Sequence, residues 1–451
     1  RQGDVRVLTT PQQANAMIID NCKRAALKRS AHAMKRHIRL VMTTCLAMTA
    51  CFVFTSPAKA QRNEVISPNI ASLQVTADDN WLQMPIMQLG SGSVMNIAFD
   101  DLTHEYHRYA YKLEHCEADW TVSDQLFASD YCKGFADGNT IDDMEESINT
   151  SVQYTHYRLQ IPNDRCVPTI SGNYRLTVYD DNTQDTVFKA CFMIVEQQTA
   201  VALGVTTNTD IDINRSHQQV SMKLGYGAIA VRDQQKEIKT VVLQNGSWTN
   251  AVCNATPQYV KNDGLQWEHN RSLIFEAGNE YRKFETLDPS HPTMGIESVS
   301  WDNTRYHAFI WPDEPRLNYI YDEDANGCFY IRNSDNIEND IASDYVLTHF
   351  TLVLDRQPGD IYVSGKWTNE STDDLYRMTY DELQKRYEAT ILLKQGYYSY
   401  RYLTQRSDGS LSLLPSEGNF YQTENTYQAL IYYRPIGSRT DRLVGYAEVG
   451  I

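Results

Sequence analysis

Apolar side chains recur at every second position through most of this chain after residue 60, and that period limits its fold. In YAYKLEHC, Tyr109, Tyr111 and Leu113 share one face of an extended strand, while Lys112 and Glu114 share the other. The alternation returns through Tyr157, Leu159 and Ile161, and again through Tyr174, Leu176 and Val178. Residues 73–76 and 94–99 read as early strands, and Phe188, Ala190, Phe192 and Ile194 close a set of about seven, as in an immunoglobulin-like sandwich. Trp120 lies in a loop-like acidic excursion, 120–144, where its ring is expected to plug the end of that sandwich.

The β pattern continues to the end of the chain. Val220, Met222 and Leu224 alternate, Asn245-Gly246 is a hairpin-type turn, and the polar, acidic run 333–344 reads as a linker. Residues 375–394 carry helix-favouring Glu, Leu, Gln and Lys, yet Tyr387, Thr390, Ile391 and the following Gly396 favour a hairpin, which is the reading adopted. The fold class expected is all-β, with tandem immunoglobulin-like/β-sandwich domains. Residues 61–197 form an N-terminal immunoglobulin-like sandwich, 198–335 a second sandwich-like domain, and 336–451 a C-terminal early-set-like β domain.

The first sixty residues stand outside this pattern. From Met34, a basic start (Lys35, Arg36, Arg39) leads into an apolar run and then Ala58-Lys59-Ala60. Residues 34–60 therefore read as a secretory signal peptide cleaved between Ala60 and Gln61, and 1–33 as an upstream non-native extension. Cys51 loosely fits a lipidation box, but the apolar Phe52-Val53-Phe54 after it speaks against that use. Ten of the 41 Lys and Arg but only two of the 57 Asp and Glu precede residue 61, so the remainder is more acidic than the whole chain at −16. That balance disfavours nucleic acid and anionic membrane surfaces as partners. An exported chain can oxidise its thiols, and Cys116 and Cys132, which flank the Trp120 loop, are the candidate disulfide among Cys116, Cys132, Cys166, Cys191, Cys253 and Cys328. Buried free thiols are the alternative.

Candidate chemistry is sparse. Asp322-Glu323-Asp324-Ala325-Asn326-Gly327 begins like a calcium loop, but Asn333 stands where a closing carboxylate is needed, and Asn-Gly is itself a turn signal. His104, Glu105 and His107 are neighbours, and His115 adjoins Cys116, without the spacing of a zinc site. No nucleophile elbow or phosphate loop occurs, so no catalytic, cofactor or metal residue is assigned. Trp367, Tyr397, Tyr398, Tyr400 and Tyr402 could stack on sugars, making a carbohydrate-binding protein the alternative function. One half of that tyrosine run must face away from a simple sandwich core, and packing against a neighbouring domain is the preferred use.

The runs YAYKLEHCEADWTVSDQLFASDYCKGF, YTHYRLQIPN and SGNYRLTVYD resemble the first domain of the plug protein family of the bacterial type IX secretion system. The similarity extends through FEAGNEYRKFE, the Asp324-to-Arg332 stretch, GYYSYRYL, EGNFYQTENTYQALIYYRP and TDRLVGY. It implies a non-enzymatic periplasmic protein without a cofactor, whose partner is the outer-membrane barrel translocon and which closes that channel on its periplasmic side. It implies no direct membrane insertion and no small-molecule substrate. The family offers no catalytic residues to carry over, and the partner-binding residues stay unknown.

Overall fold

The computed structural model describes residues 62–407 and 409–451. The signal segment, its cleavage point at Ala60 and Gln61, and Cys51 lie outside the described residues. Four antiparallel-rich sheets stack face to face. Sheet 1 orders Ile70–Ala77, Met95–Asp101, Thr155–Ile161 and Asp143–Glu146; sheet 2 orders Glu64–Val65, Thr186–Val195, Gly172–Asp180, Tyr109–Cys116 and Asp137–Thr140. Phe99, Tyr157 and Leu159 from sheet 1 meet Tyr109, Tyr111, Leu113, Leu176 and Phe188 from sheet 2 in one apolar core. The period-2 residues of the sequence are the inward faces of this sandwich.

Sheet 3 is made of Ser247–Cys253, Ile238–Gln244, Thr426–Tyr433 and Arg442–Gly450, and sheet 4 of Ala200–Thr206, His217–Gly225, Gly264–Trp267 and Tyr259–Lys261. Val220, Met222, Leu265 and Trp267 pack there against Val242, Ala429, Ile431 and Val444. The opposite face of sheet 3 does not meet water. Val241, Leu243, Leu430 and Tyr432 pack against Cys191, Met193 and Val195 on the far face of sheet 2. Both sides of 190–195 and of 427–432 are therefore dry, which is why ACFMIV and YQALIY carry apolar residues in both phases.

This closing of sheet 3 by the chain's last two strands corrects the boundary drawn at 335/336. The sheets divide instead so that 280–420 form a separate sandwich inserted between the two halves of the second. One of its sheets orders Ile296–Trp301, Tyr306–Ile310, Tyr345–Leu352, Arg386–Lys394 and Thr379–Asp381, with Tyr306–Ile310 and Tyr345–Leu352 parallel. The other is built on Gly396–Gln405, flanked by Arg282–Thr286, Phe329–Ile331, Ile361–Ser364 and Leu411–Leu413. Asp381 pairs with Arg386, so the ambiguous run forms a hairpin. Sequence pattern missed the insertion because a strand does not reveal which distant strand it will pair with.

Two seams lock these sandwiches together. Between sheets 2 and 3, Trp120 packs edge-to-face on Trp248, with ring centroids 5.6 Å apart. Trp120 is thus buried in the seam between domains and does not plug the end of the first sandwich. Beside it, His115 is buried, with Nε2–H donating to the Ser171 carbonyl at 3.2 Å and Nδ1 accepting from Ser123 Oγ at 2.8 Å. Gly172 makes this fit possible: its φ is +144°, and a Cβ there would lie 2.2 Å from His115 Nε2.

The second seam joins the first sandwich to the inserted one. Lys394 Nζ reaches Asp100 Oδ2 at 2.7 Å with both side chains 1% exposed, and sits 4.1 Å from the centre of the Tyr154 ring. Tyr345 donates to the same oxygen at 2.6 Å, and His156 Nδ1 lies 2.6 Å from Oδ1. Burial works against the Asp100 charge, but Lys394 and His156 outweigh it and hold the carboxyl below its usual range. The acidic run expected as a linker docks here. Asp344 accepts from the backbone N–H groups of Ser151 and Val152 at 2.8 and 3.1 Å, and Ile148 N–H donates to the Ile341 carbonyl.

Removing one partner of the buried pair leaves an uncompensated charge, so Lys394→Met is expected to cost about 3–5 kcal/mol in urea unfolding. Asp100→Asn with Lys394→Met should cost less than the two single changes summed. Burial pushes the His115 pKa down to about 4, below the ordinary value near 6.5. The unfolded chain then binds a proton the folded chain refuses, so His115 is harmless above pH 6.5 and costs stability as pH falls from there toward 4. The loss is at most about 1.4 kcal/mol per pH unit. Asp324, pushed up to about 6 by burial, acts in the opposite direction. The difference between wild type and His115→Asn isolates the histidine: thermal melts across this range should fall less steeply in the variant.

Candidate partner-binding surface

The aromatic residues nominated from sequence are almost all core. Tyr398, Tyr400, Tyr402 and Trp367 belong to the apolar cluster of the inserted sandwich. Their polar ends are spent internally: Tyr400 and Tyr402 donate to Asp313 Oδ2 at 2.8 and 2.6 Å, and Tyr398 to the Lys394 carbonyl at 2.6 Å. Trp367 Nε1–H donates to the Ser399 carbonyl at 3.1 Å. None of them presents a face on which a sugar could stack. Tyr397, in the opposite phase, is half-buried and meets Trp81 of the first sandwich at 6.0 Å, with Tyr330 at 5.4 Å from the same ring. The outward half of the run thus packs between domains.

The other nominated groups are satisfied in place. His107 Nδ1 lies 2.6 Å from Asp101 Oδ2, and His104 Nδ1 lies 3.2 Å from the Tyr154 carbonyl. In the calcium-like run, Asp322 pairs with Lys283 at 2.6 Å and Asp324 accepts from the Asn326 N–H at 2.6 Å. Asn326 and Gly327 have φ of +49° and +84°, and the Cys328 N–H donates to the Ala325 carbonyl at 2.9 Å. These are the features of a tight turn with two left-handed residues. Cys116 and Cys132 are not brought together: Cys116 lies in the seam with Cys191, whereas Cys132 lies in the first sandwich, with its sulfur 3.1 Å from that of Cys166. Among the described residues, no group of three or more His, Cys, Asp or Glu is arranged to hold a metal ion, and no helix is long and apolar enough to cross a membrane. A polar cleft of about 1130 Å³ lies beside sheet 1, and its Arg158 is paired with Asp143, Glu145 and Asp340 at 3.2–3.6 Å.

The site that sequence reading left blank is the long loop 311–328, between Tyr306–Ile310 and Phe329–Ile331. Several of its polar residues, Asp313, Arg316, Tyr319 and Asp324, are drawn inward, while Glu314, Asn318, Asp322 and Glu323 stay exposed. Arg282 meets Asp313 at 2.6 Å and Glu417 at 3.1 Å; burial opposes its charge, but those two carboxylates raise its pKa. Arg316 bonds to Glu417 and to the Glu280 carbonyl, and its own N–H donates to the Ser416 carbonyl at 2.8 Å. Tyr319 donates to Glu280 Oε1 at 2.6 Å. The apolar residues point outward instead: Trp311 is 58% exposed, Leu317 83%, Ile320 77% and Tyr321 58%. Ordinary solubility would place these the other way round. Large exposed apolar residues on a loop pinned by buried ion pairs make this surface a candidate for contact with another protein. The sequence signal was available in WPDEPRLNYIY: large apolar residues between prolines and acids, with no strand or helix period.

The family model for the first domain of type 9 secretion system plug proteins matches residues 70–196, which is the first sandwich. A hypothetical protein from Parabacteroides merdae, known by crystal structure, is 40% identical; the likeness covers 86% of this chain and 99% of that one, with a TM-score of 0.84. Dimeric latent PorU from Porphyromonas gingivalis aligns at 14% identity over 54% of this chain and 20% of that one, but its TM-score of 0.14 carries no argument. No curated protein matches the sequence.

Proposed function

The chain belongs to the type 9 secretion system plug protein family, and from that premise we propose that it acts in the periplasm as the plug closing the periplasmic opening of the outer-membrane translocon. The observation that carries this reading is the 311–328 loop, whose exposed Trp311, Leu317, Ile320 and Tyr321 stand on a frame pinned by Arg282, Arg316 and Glu417. A plug needs stiffness and a complementary face more than it needs a pocket. The two buried seams supply stiffness, because closing a channel with a body that bends would dissipate the contact energy in ordering it. The loop supplies apolar anchors of the type that dominate protein–protein contacts, Trp and Tyr foremost. Of the residues nominated for sugar binding, Trp367, Tyr398, Tyr400 and Tyr402 lie in a core and Tyr397 packs against Trp81.

Co-purification from gently solubilised envelopes tests the proposal. The tagged chain is expected to recover the large barrel, and Trp311→Ala with Leu317→Ser and Ile320→Ser should lower that recovery about tenfold or more. Because these side chains are largely solvated, the same changes should leave unfolding free energy within about 0.5 kcal/mol for each site. Full recovery by the triple variant would remove this loop from the interface, and absence of any barrel with wild type would remove the plug reading itself. In planar bilayers, the purified translocon should conduct ions less with the chain bound than after its removal; equal conductance would mean that it binds without closing the channel.

A further inference from the structure

We propose that Cys132 and Cys166 form an intramolecular disulfide in the exported protein, a covalent staple that holds the Trp120 excursion to the first sandwich. The two sulfurs are 3.1 Å apart, and both residues are buried. Their strands, Cys132–Gly134 and Cys166–Pro168, pair only with each other, in a two-stranded ribbon outside the main sheets. In that register Cys132 faces Pro168 and Cys166 faces Gly134, so the two cysteines lie on one face, diagonal to one another. Gly134 lets the strands approach: at φ +101°, a Cβ there would stand 2.1 Å from the Arg165 carbonyl oxygen. Among the six described cysteines the alternatives are poorer. Cys328 faces Lys366 Nζ at 3.1 Å, Cys253 is exposed, and the strand Gly172–Asp180 separates those bearing Cys116 and Cys191.

The chemistry is thiol–disulfide exchange with a disulfide-bearing oxidoreductase of the cell envelope. The Cys132 thiolate attacks one carrier sulfur, forming a mixed disulfide and expelling the other carrier sulfur as a thiolate. The Cys166 thiolate then attacks Cys132 Sγ and releases the carrier. Two electrons and two protons pass to the carrier, which leaves as a dithiol, while the protein gains one S–S bond. The hydrogen-bond contact with Cys166 holds the Cys132 thiol below the usual thiol range, which favours Cys132 as the first attacker. The ribbon connects the short helix Ala128–Tyr131 to the core, so the bond fixes the chain that carries Trp120 into the seam. The cellular part of this proposal rests on the periplasmic reading; the geometric part does not.

The two parts separate experimentally. Purified wild type is equilibrated with oxidised and reduced glutathione, free thiols are alkylated, and the digest is examined by mass spectrometry. The expected product is one peptide pair joined through Cys132 and Cys166, lighter by two hydrogen atoms than its reduced parts. The melting temperature should be about 5 °C higher than in dithiothreitol. Cys132→Ser, Cys166→Ser and the double variant should each lose that redox-dependent difference. Alkylation of both thiols in wild type after oxidation, or a linkage of Cys132 to Cys116, would overturn the proposal without any variant having to fold. Protein taken directly from envelopes by acid trapping should carry the same link. Link formation in glutathione with free thiols in the envelope sample would overturn the cellular claim and leave the geometry standing.

Discussion

The strand Thr186–Val195 is dry on both faces over 190–195, and the arrangement of the larger stack depends on it. Its even-numbered residues Phe188, Phe192 and Ile194 complete the core of the first sandwich, while Cys191, Met193 and Val195 complete the seam with sheet 3. A sheet with one solvated face would leave two sandwiches on a tether. Burying the second face makes the domain contact part of the core, at roughly 25 cal/mol for each Å² of apolar surface removed from water. The strand Thr426–Tyr433 does the same for sheet 3, so the end of the chain helps to close a seam with its beginning. The inserted sandwich is then held by a different kind of contact: a dry ion pair, Asp100 with Lys394, to which Tyr345 and His156 add two further hydrogen bonds.

The inward faces of the first sandwich were legible in the sequence because period 2 is a local property. Tyr109, Tyr111 and Leu113 had to point one way whatever their partners were. Partner choice was not legible. Sheet 3 pairs Ile238–Gln244 with Thr426–Tyr433, strands separated by a whole sandwich of intervening chain, and no local preference encodes that meeting. Doubly buried strands did leave a trace, since YQALIYY has no polar phase; read as a single strand of a terminal domain, it gave no hint of two cores. The acidic run 333–344 misled for a physical reason. Composition records that Asp340 and Asp344 are charged, but whether such groups are solvated or paired depends on what the fold brings to them, here His156 and Arg158 beside Asp340 and the backbone N–H groups of Ser151 and Val152 on Asp344.

The candidate contact surface was obscured by the same limit in reverse. Sequence reading seeks apolar residues with a period, because periodic ones are buried, and treats aperiodic stretches as solvated loops. In 311–328, Asp313, Arg316 and Tyr319 are anchors while Trp311, Leu317, Ile320 and Tyr321 are exposed, so these residues take the roles usually given to the other type. The tyrosine run 397–402 drew attention through its aromatic content, yet only Tyr397 leaves its own core, and it meets Trp81. Aromatic density marked packing, whereas aromatic placement on an aperiodic, proline-bounded loop marked exposure.

That placement carries a physical cost that helps to interpret it. Leu317, Ile320 and Tyr321 in water gain nothing for the fold, while the loop that displays them is held by Arg282, Arg316, Asp313, Glu280 and Glu417, all drawn into partly or fully buried ion pairs and hydrogen bonds. Desolvating charges is expensive, and a buried ionic cluster is seldom the most stabilising way to fill a junction. Its advantage is geometric: guanidinium–carboxylate contacts fix direction where apolar contacts can slide. A loop fixed in this way can present apolar anchors without first being ordered by its partner, so less of the contact energy is lost on binding. The ionic cluster and the exposed apolar residues are thus two halves of one arrangement, the first setting the orientation that makes the second useful.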